Sequence, residues 1–220
     1  MIKEFIQLIY PNFCSGCQSQ LQFSEKAICL SCMVELRNHS IVSSKVAFGR
    51  YILEQEYFLF KNFKNKLLKN MIYEIKYKGN KSSAYVLGVE LGHLIKSSFS
   101  NFDLIIPIPV SKAKRQIRGF NQCELIAEGV SEVLNLPILS NFFTRNNNLT
   151  SQVNSSRYQR WLNVENQYKA LTQLPKNSKV LIIDDVVTSG ATISSCIKAI
   201  LQKKTPITIS IAALAGNKIT

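Results

Sequence analysis

VLIIDDVVTSGATI, residues Val180 to Ile193, decides the fold of this chain. Val180, Leu181, Ile182 and Ile183 form an unbroken apolar run, the pattern of a central parallel strand covered on both faces. Asp184 and Asp185 then emerge at its carboxyl end, the edge of an open α/β sheet at which ligands bind. Next the chain turns through Val186, Val187, Thr188, Ser189 and Gly190 into a helical pattern that begins near Ala191 and includes Thr192. Unpaired N–H groups at a helix N-terminus, the helix dipole and the Thr188, Ser189 and Thr192 hydroxyls suit a phosphate. Gly190 allows close backbone approach. Two carboxylates beside such a cradle fit a ligand with vicinal hydroxyls, a divalent cation and a phosphate. The alternative, aspartates that merely cap a helix, accounts for fewer of these positions.

The block resembles the signature of the type I phosphoribosyltransferases, which bind 5-phosphoribosyl-1-pyrophosphate (PRPP). The resemblance implies that residues 184–192 form the PRPP site and that magnesium accompanies the ligand.

Outward from the strand, helical and strand-like segments alternate, which predicts an α/β fold with a mainly parallel sheet flanked by helices. Helices are expected at Lys64–Tyr77, Ala84–Ser98, Asn121–Leu134 and Ala191–Lys203, and a short one at Ile2–Tyr10. Strands are expected at Leu104–Ile108, Ile138–Thr144 and Ile207–Leu214, with strand-like content over Val46–Phe60 but no clean alternation. The 220 residues, 46% of them hydrophobic, suffice for one core and a small appendage. No apolar run of about 20 residues suggests a membrane span.

The appendage is marked by Cys14, Cys17, Cys29 and Cys32, spaced C-x2-C-x11-C-x2-C. This is the spacing of a closed tetrahedral thiolate site and predicts structural zinc. Two disulfides are the rival, disfavoured because no secretory signal is seen and Cys123 and Cys196 stand alone. The expected division is a cysteine module over 1–38 and a phosphoribosyltransferase-like domain over 39–220. So short a module would draw its folding energy from the metal. His39, His93, Cys123 and Cys196 read as structural residues.

Charge adds a second theme. There are 27 basic against 14 acidic residues, a net charge of +13, which favours polyanions. Lys61, Lys64, Lys66, Lys69, Lys76, Lys78 and Lys81 cluster with Phe63, Tyr73 and Tyr77, a mixture suited to single-stranded nucleic acid. Equally, Leu67, Leu68, Met71, Ile72 and Ile75 make an apolar helical stripe, so the same stretch reads as a solvated helix face. A second basic segment follows the Leu104 strand: Ser111, Lys112, Lys114, Arg115, Arg118 and Asn121 form an expected loop for a diphosphate or a nucleic-acid backbone. Last comes the polar run 145–164, a flexible loop able to bring Thr150, Gln152, Arg157 or Arg160 over a bound ligand, with Trp161 packed beneath.

In order, LIYPNFCSGC with its second Cys-x-x-Cys, IKYKGN, PIPVSKAKRQIRGFNQCELIA, Arg145-x4-Thr150-x-Gln152 followed by Arg157 and Arg160, and VLIIDDVVTSGAT resemble the ComF family across nearly the whole chain. That resemblance implies a cytoplasmic protein tied to DNA uptake in natural competence. Its implied partners are PRPP, single-stranded DNA and competence-machinery proteins such as a DNA helicase. Three functions are open at this point: a competence factor binding PRPP and DNA, an active phosphoribosyltransferase with an unidentified acceptor, and a regulator that senses PRPP.

Overall fold

Among the described residues five strands make the main sheet, and the apolar run Val180–Ile183 lies within it. The computed structural model describes residues 11–48, 51–60, 65–145 and 167–216. Helix α1 (Leu30–Asn38) leads into strands β1 (Ile41–Phe48) and β2 (Tyr51–Phe60). Helices α2 (Lys66–Tyr77) and α3 (Lys81–Ser97) precede β3 (Leu104–Pro107), α4 (Lys112–Arg118) and α5 (Gln122–Leu134). A small hairpin of β4 (Phe143–Arg145) and β5 (Tyr168–Ala170) leads to β6 (Lys179–Val187), α6 (Ala191–Leu201) and β7 (Thr208–Gly216). The sheet order is β1-β2-β7-β6-β3; β1 pairs antiparallel with β2, and every other neighbouring pair is parallel.

Alternation along β6 sorts the core into two layers. Leu181 and Ile183 pack with residues of α2, α3 and α5 on one face, while Val180 and Ile182 pack with α6 and the β4–β5 hairpin on the other. Successive strand residues point to opposite faces, so one apolar run serves both layers. Helices α3 and α5 approach so closely that a Cβ on Gly88 would lie 2.2 Å from the Ile126 carbonyl oxygen, and one on Gly129 would lie 2.4 Å from that of Tyr85.

Several expected elements differ. Within the expected Val46–Phe60 stretch, the end of β1 and all of β2 pair antiparallel, and β2 is an interior strand also paired with β7, so the sheet begins earlier in the chain than the sequence suggests. The continuous buried stretch Tyr57–Phe60 hides any alternation, as it does in strands covered on both faces. The Ile138–Thr144 strand reduces to one bridge, Ile138 with Ile105, and a turn before β4; the Phe142 N–H donates to the Leu139 carbonyl and draws the chain off the sheet edge. The basic segment after β3 is a helix, α4, capped by Ser111, whose Oγ accepts the Lys114 N–H. None of its residues is buried, so no apolar period announced it. The segment Ile2–Tyr10 lies outside the described residues.

The cysteine module shares the main core. Cys14, Cys32 and Leu36 join Leu68, Met71 and Leu87 in one cluster. Polar clasps reinforce the contact: Arg37 makes a two-pronged pair with Glu90 (2.7 and 2.9 Å), Asn70 Nδ2 donates to the Gly16 carbonyl (2.8 Å), and Ser83 donates to Ser15 (2.8 Å).

Candidate functional site

Strand β6 runs on through its aspartates to Val187, with Asp184 opposite Ala213 of β7. Asp184 and Asp185 are 8% and 7% exposed, at the base of a cleft of about 170 Å³. Its walls come from several elements: Lys76 from α2, Pro109 and Val110 after β3, Lys114 and Arg118 from α4, Gln122 and Cys123 from α5, Arg145 and Tyr168 from the small hairpin, and Val186 and Thr192 around the turn. Strand ends and the helices that follow them thus converge at the carboxyl edge of the sheet, as in other open α/β folds.

Internal partners hold both carboxylates. Gln122 Nε2 donates to Asp185 Oδ2 (2.8 Å), and Lys76 Nζ lies 2.8 Å from the same oxygen. Gln122 Oε1 in turn accepts from Arg118 (2.8 Å). Asp184 Oδ1 accepts the Asp185 N–H (2.8 Å) and faces the Cys123 thiol at 3.6 Å. Burial, with the neighbouring Asp185 charge adding to it, pushes the Asp184 carboxyl up to about 7. Burial and then the Asp184 charge push the Cys123 thiol well up, which keeps it protonated and unreactive at neutral pH. Two buried carboxylates opposed in this way suit a hard divalent cation, whose charge would favour ionisation of both.

At the turn, Gly190 takes the left-handed conformation (φ 72°) and opens α6 without a side-chain cap. The Ala191 N–H donates to the Ser189 hydroxyl at a long 3.5 Å, and N–H groups at a helix start of this kind suit an anion. Thr188 and Ser189 are exposed, Ala191 and Thr192 half-buried, and the Val187 side chain packs in the core. In the basic helix, Lys114 and Arg118 face the cleft, while Lys112 is exposed and Arg115 pairs with Glu124 at 3.5 Å. Asn121 is a positioning residue: its Oδ1 caps α5 and its Nδ2 donates to the Ile108 carbonyl (3.1 Å). Thr150, Gln152, Arg157, Arg160 and Trp161 lie outside the described residues, as do Lys61, Phe63 and Lys64.

Sequence reasoning placed Lys76 on a polyanion surface; the structure places it in the cleft. It gave no site role to Gln122 or Arg145, although both stand inside quoted elements, nor to Tyr168; the Arg145 guanidinium lies 5.9 Å from the Tyr168 ring. Cys123 is buried, as a structural cysteine would be, and it also lines the cleft. Cys196 lies in the core, His39 stacks on Phe60, and His93 is exposed.

The outer face of α2 carries Lys66, Lys69, Tyr73 and Tyr77 at helical spacing, and Lys78 caps its end. Tyr73 and Tyr77 are 51% and 70% exposed with ring centroids 5.2 Å apart. Leu68, Met71 and Ile75 are the buried face.

The four module cysteines are all free thiols, and their Sγ atoms lie within 4.8 Å of one another. Tetrahedral zinc–thiolate bonds of about 2.3 Å require sulfurs about 3.8 Å apart, and Cys17 and Cys29 stand 3.7 Å apart. The Gly16 and Cys29 N–H groups donate to Cys14 Sγ (3.4 and 3.3 Å), as befits a thiolate ligand. The donor set therefore fits a metal such as zinc.

A phosphoribosyl transferase domain matches residues 121–220, which contain β6, both aspartates and the turn. The fold is that of the type I phosphoribosyltransferases. Over 195 residues the chain is 27% identical to competence protein F of Haemophilus influenzae, covering 87% of this chain and 79% of that one. It is 26% identical to competence protein ComFC of Bacillus subtilis over 155 residues, 66% of this chain and 58% of that one. Over much of its length the chain is thus similar to two proteins named for competence. The chain is also 31% identical over 101 residues to the DNA utilization protein YhgH of Escherichia coli O157:H7, covering 46% of this chain and 44% of that one. Among solved structures, adenine phosphoribosyl transferase from Trypanosoma brucei is similar at a TM-score of 0.41 and 13% identity, over 84% of this chain and 67% of that one. No helix among the described residues is long and apolar enough to cross a membrane.

Proposed function

We propose that this protein is a cytoplasmic ComF-type factor in DNA uptake during natural transformation, binding PRPP with magnesium in the cleft and single-stranded DNA on its basic surface. The observation that carries the reading is the buried Asp184–Asp185 pair at the end of β6, set beside an uncapped helix start and ringed by Lys76, Lys114, Arg118 and Arg145. Asp184 and Asp185 would take the ribose hydroxyls and the metal, residues 188–192 the 5-phosphate, and the cations of α2, α4 and β4 the diphosphate. The magnesium would supply charge neutralisation at the diphosphate. Thr150, Gln152, Arg157 and Arg160 would close over the ligand. Zinc on Cys14, Cys17, Cys29 and Cys32 would be structural, in a module spanning 1–38 against a domain spanning 39–220.

For DNA, Lys64, Lys66, Lys69 and Lys78 of the α2 region and Lys112, Lys114, Arg115 and Arg118 of α4 would track the backbone. The names of the competence and DNA utilization relatives support this part. A competence protein such as a helicase is the expected handler of the strand.

Calorimetric titration of PRPP with Mg²⁺ into wild type and the Asp184→Asn/Asp185→Asn double variant tests the pocket. Binding by wild type that disappears in the variant is expected; absence of binding by wild type overturns the reading. Repeating the titration with a short single-stranded oligonucleotide present tests whether the two ligands are coupled. A second reading, an active phosphoribosyltransferase, is favoured by the cations around the carboxylates, which would stabilise departing pyrophosphate. Pyrophosphate release with an acceptor would establish it.

A further inference from the structure

Lys76 belongs by sequence to a run of surface lysines, yet its ammonium is seated on Asp185. Its side chain is 21% exposed, Nζ stands 2.8 Å from Asp185 Oδ2, and the same oxygen already accepts from Gln122. Gln122 is fixed from behind by Arg118, so of the two donors the lysine is the freer to leave. A lysine ammonium is a compact charge on a flexible four-carbon stem, able to swing between acceptors where a planar guanidinium would not.

We propose that Lys76 is the resident counter-ion of this pocket, displaced from Asp185 by a divalent cation and then turned toward the anionic part of the same ligand. The inference rests on the pocket reading above and concerns how that pocket chooses its ligand. A cation arriving alone must evict an ammonium from a buried carboxylate, and an anion arriving alone finds its lysine occupied. A diphosphate ester arriving with its metal meets both needs at once: the metal takes the carboxylates and the lysine takes the phosphate. Lys76 thereby selects metal-bound polyphosphate over either component.

The test uses full-length wild type, Lys76→Met, Lys76→Arg and, as a control for loss of one positive charge, Lys96→Met on the exposed end of α3. Free Mn²⁺ is followed by electron paramagnetic resonance, and inorganic pyrophosphate is titrated calorimetrically with and without Mg²⁺. Lys76→Met should bind Mn²⁺ alone about tenfold more tightly than wild type and magnesium pyrophosphate about tenfold more weakly. Lys76→Arg should restore the weak Mn²⁺ binding, and Lys96→Met should match wild type in both. Opposite shifts in one variant cannot come from a damaged fold. If wild type binds magnesium–PRPP but Lys76→Met shows no gain in Mn²⁺ affinity, the counter-ion proposal fails and the pocket reading stands. If wild type takes up neither Mn²⁺ nor magnesium pyrophosphate, both fall.

Discussion

Asp184 carries a cost that its neighbours only partly offset, and that cost sets how the molecule responds to pH. In an unfolded chain an aspartate titrates near 4, whereas burial beside Asp185 holds the folded Asp184 carboxyl up to about 7. Below pH 4 both states are protonated and the residue contributes no difference. As pH rises from 4 to 7 the unfolded state loses its proton first, so folding stability is lost across that window. Asp184→Asn keeps an oxygen for the Asp185 N–H. It should therefore raise stability at pH 8, on the order of 2 kcal/mol, and leave it unchanged at pH 4; urea unfolding at the two pH values checks this. The same ionisation governs ligand binding. Affinity for magnesium–PRPP should climb between pH 6 and 8 in wild type beyond the ligand's own ionisation, which calorimetry in matched buffers would follow. Asp184 and Asp185 were legible in the sequence because they sit beside an apolar run and a hydroxyl-rich turn. Gln122, Cys123 and Lys76 were not, since each is distant in sequence and meets the aspartates only through folding.

Among the helices, α2 bears the most varied duties. One face buries Leu68, Met71 and Ile75, Asn70 reaches the cysteine module, Lys76 enters the cleft, and Tyr73 and Tyr77 face solvent. The apolar stripe and the exposed cations were both readable from helical spacing, so neither sequence reading displaces the other. Tyr73→Ala and Tyr77→Ala should each weaken single-stranded oligonucleotide binding by about 1 kcal/mol or more with the salt slope intact. Lys66→Gln and Lys69→Gln should each lower that slope by about one; fluorescence anisotropy over a salt series separates the two effects, and unchanged affinity in all four variants would remove α2 from the DNA surface. At the α3–α5 crossing the backbones meet through Gly88 and Gly129. Alanine improves helix propensity by about 1 kcal/mol, but here its methyl would strike a backbone oxygen that cannot turn aside. Gly88→Ala should thus destabilise by a net ~2 kcal/mol or more in urea unfolding. Element identity was clearest where a helix has a buried stripe, as in α2, α5 and α6. It was obscured in α4, which buries nothing, and in α1, where packing of Cys32 and Leu36 rather than a strong apolar period sets the helix.

Across the whole molecule, the cysteine module and the phosphoribosyltransferase fold are joined by more than chain connectivity. Cys14, Cys32 and Leu36 lie in the same cluster as Leu68 and Met71 of α2, the helix that also places Lys76 on Asp185. From the sequence alone, a 38-residue module looks separable, and metal removal would spare the pocket. The shared core argues instead that stripping the metal lowers the melting temperature of the entire chain in one transition and weakens PRPP binding with it. Calorimetric melting with and without a strong zinc chelator decides between them, because a separate low-temperature transition with the main one unmoved would restore an independent module. By itself the sequence determined the α/β class, the central strand, the carboxylate pair with its turn, and the four-thiol cluster, because each is written in neighbouring residues or in a fixed short spacing. Only the tertiary structure decided that β2 is an interior strand, that the basic segment after β3 is a helix, and that Lys76, Gln122, Arg145 and Tyr168 close on the aspartates. The physical reason is range: propensity, capping and periodicity act within a few turns of chain. Burial of a charge beside its counter-ion depends on how distant elements pack.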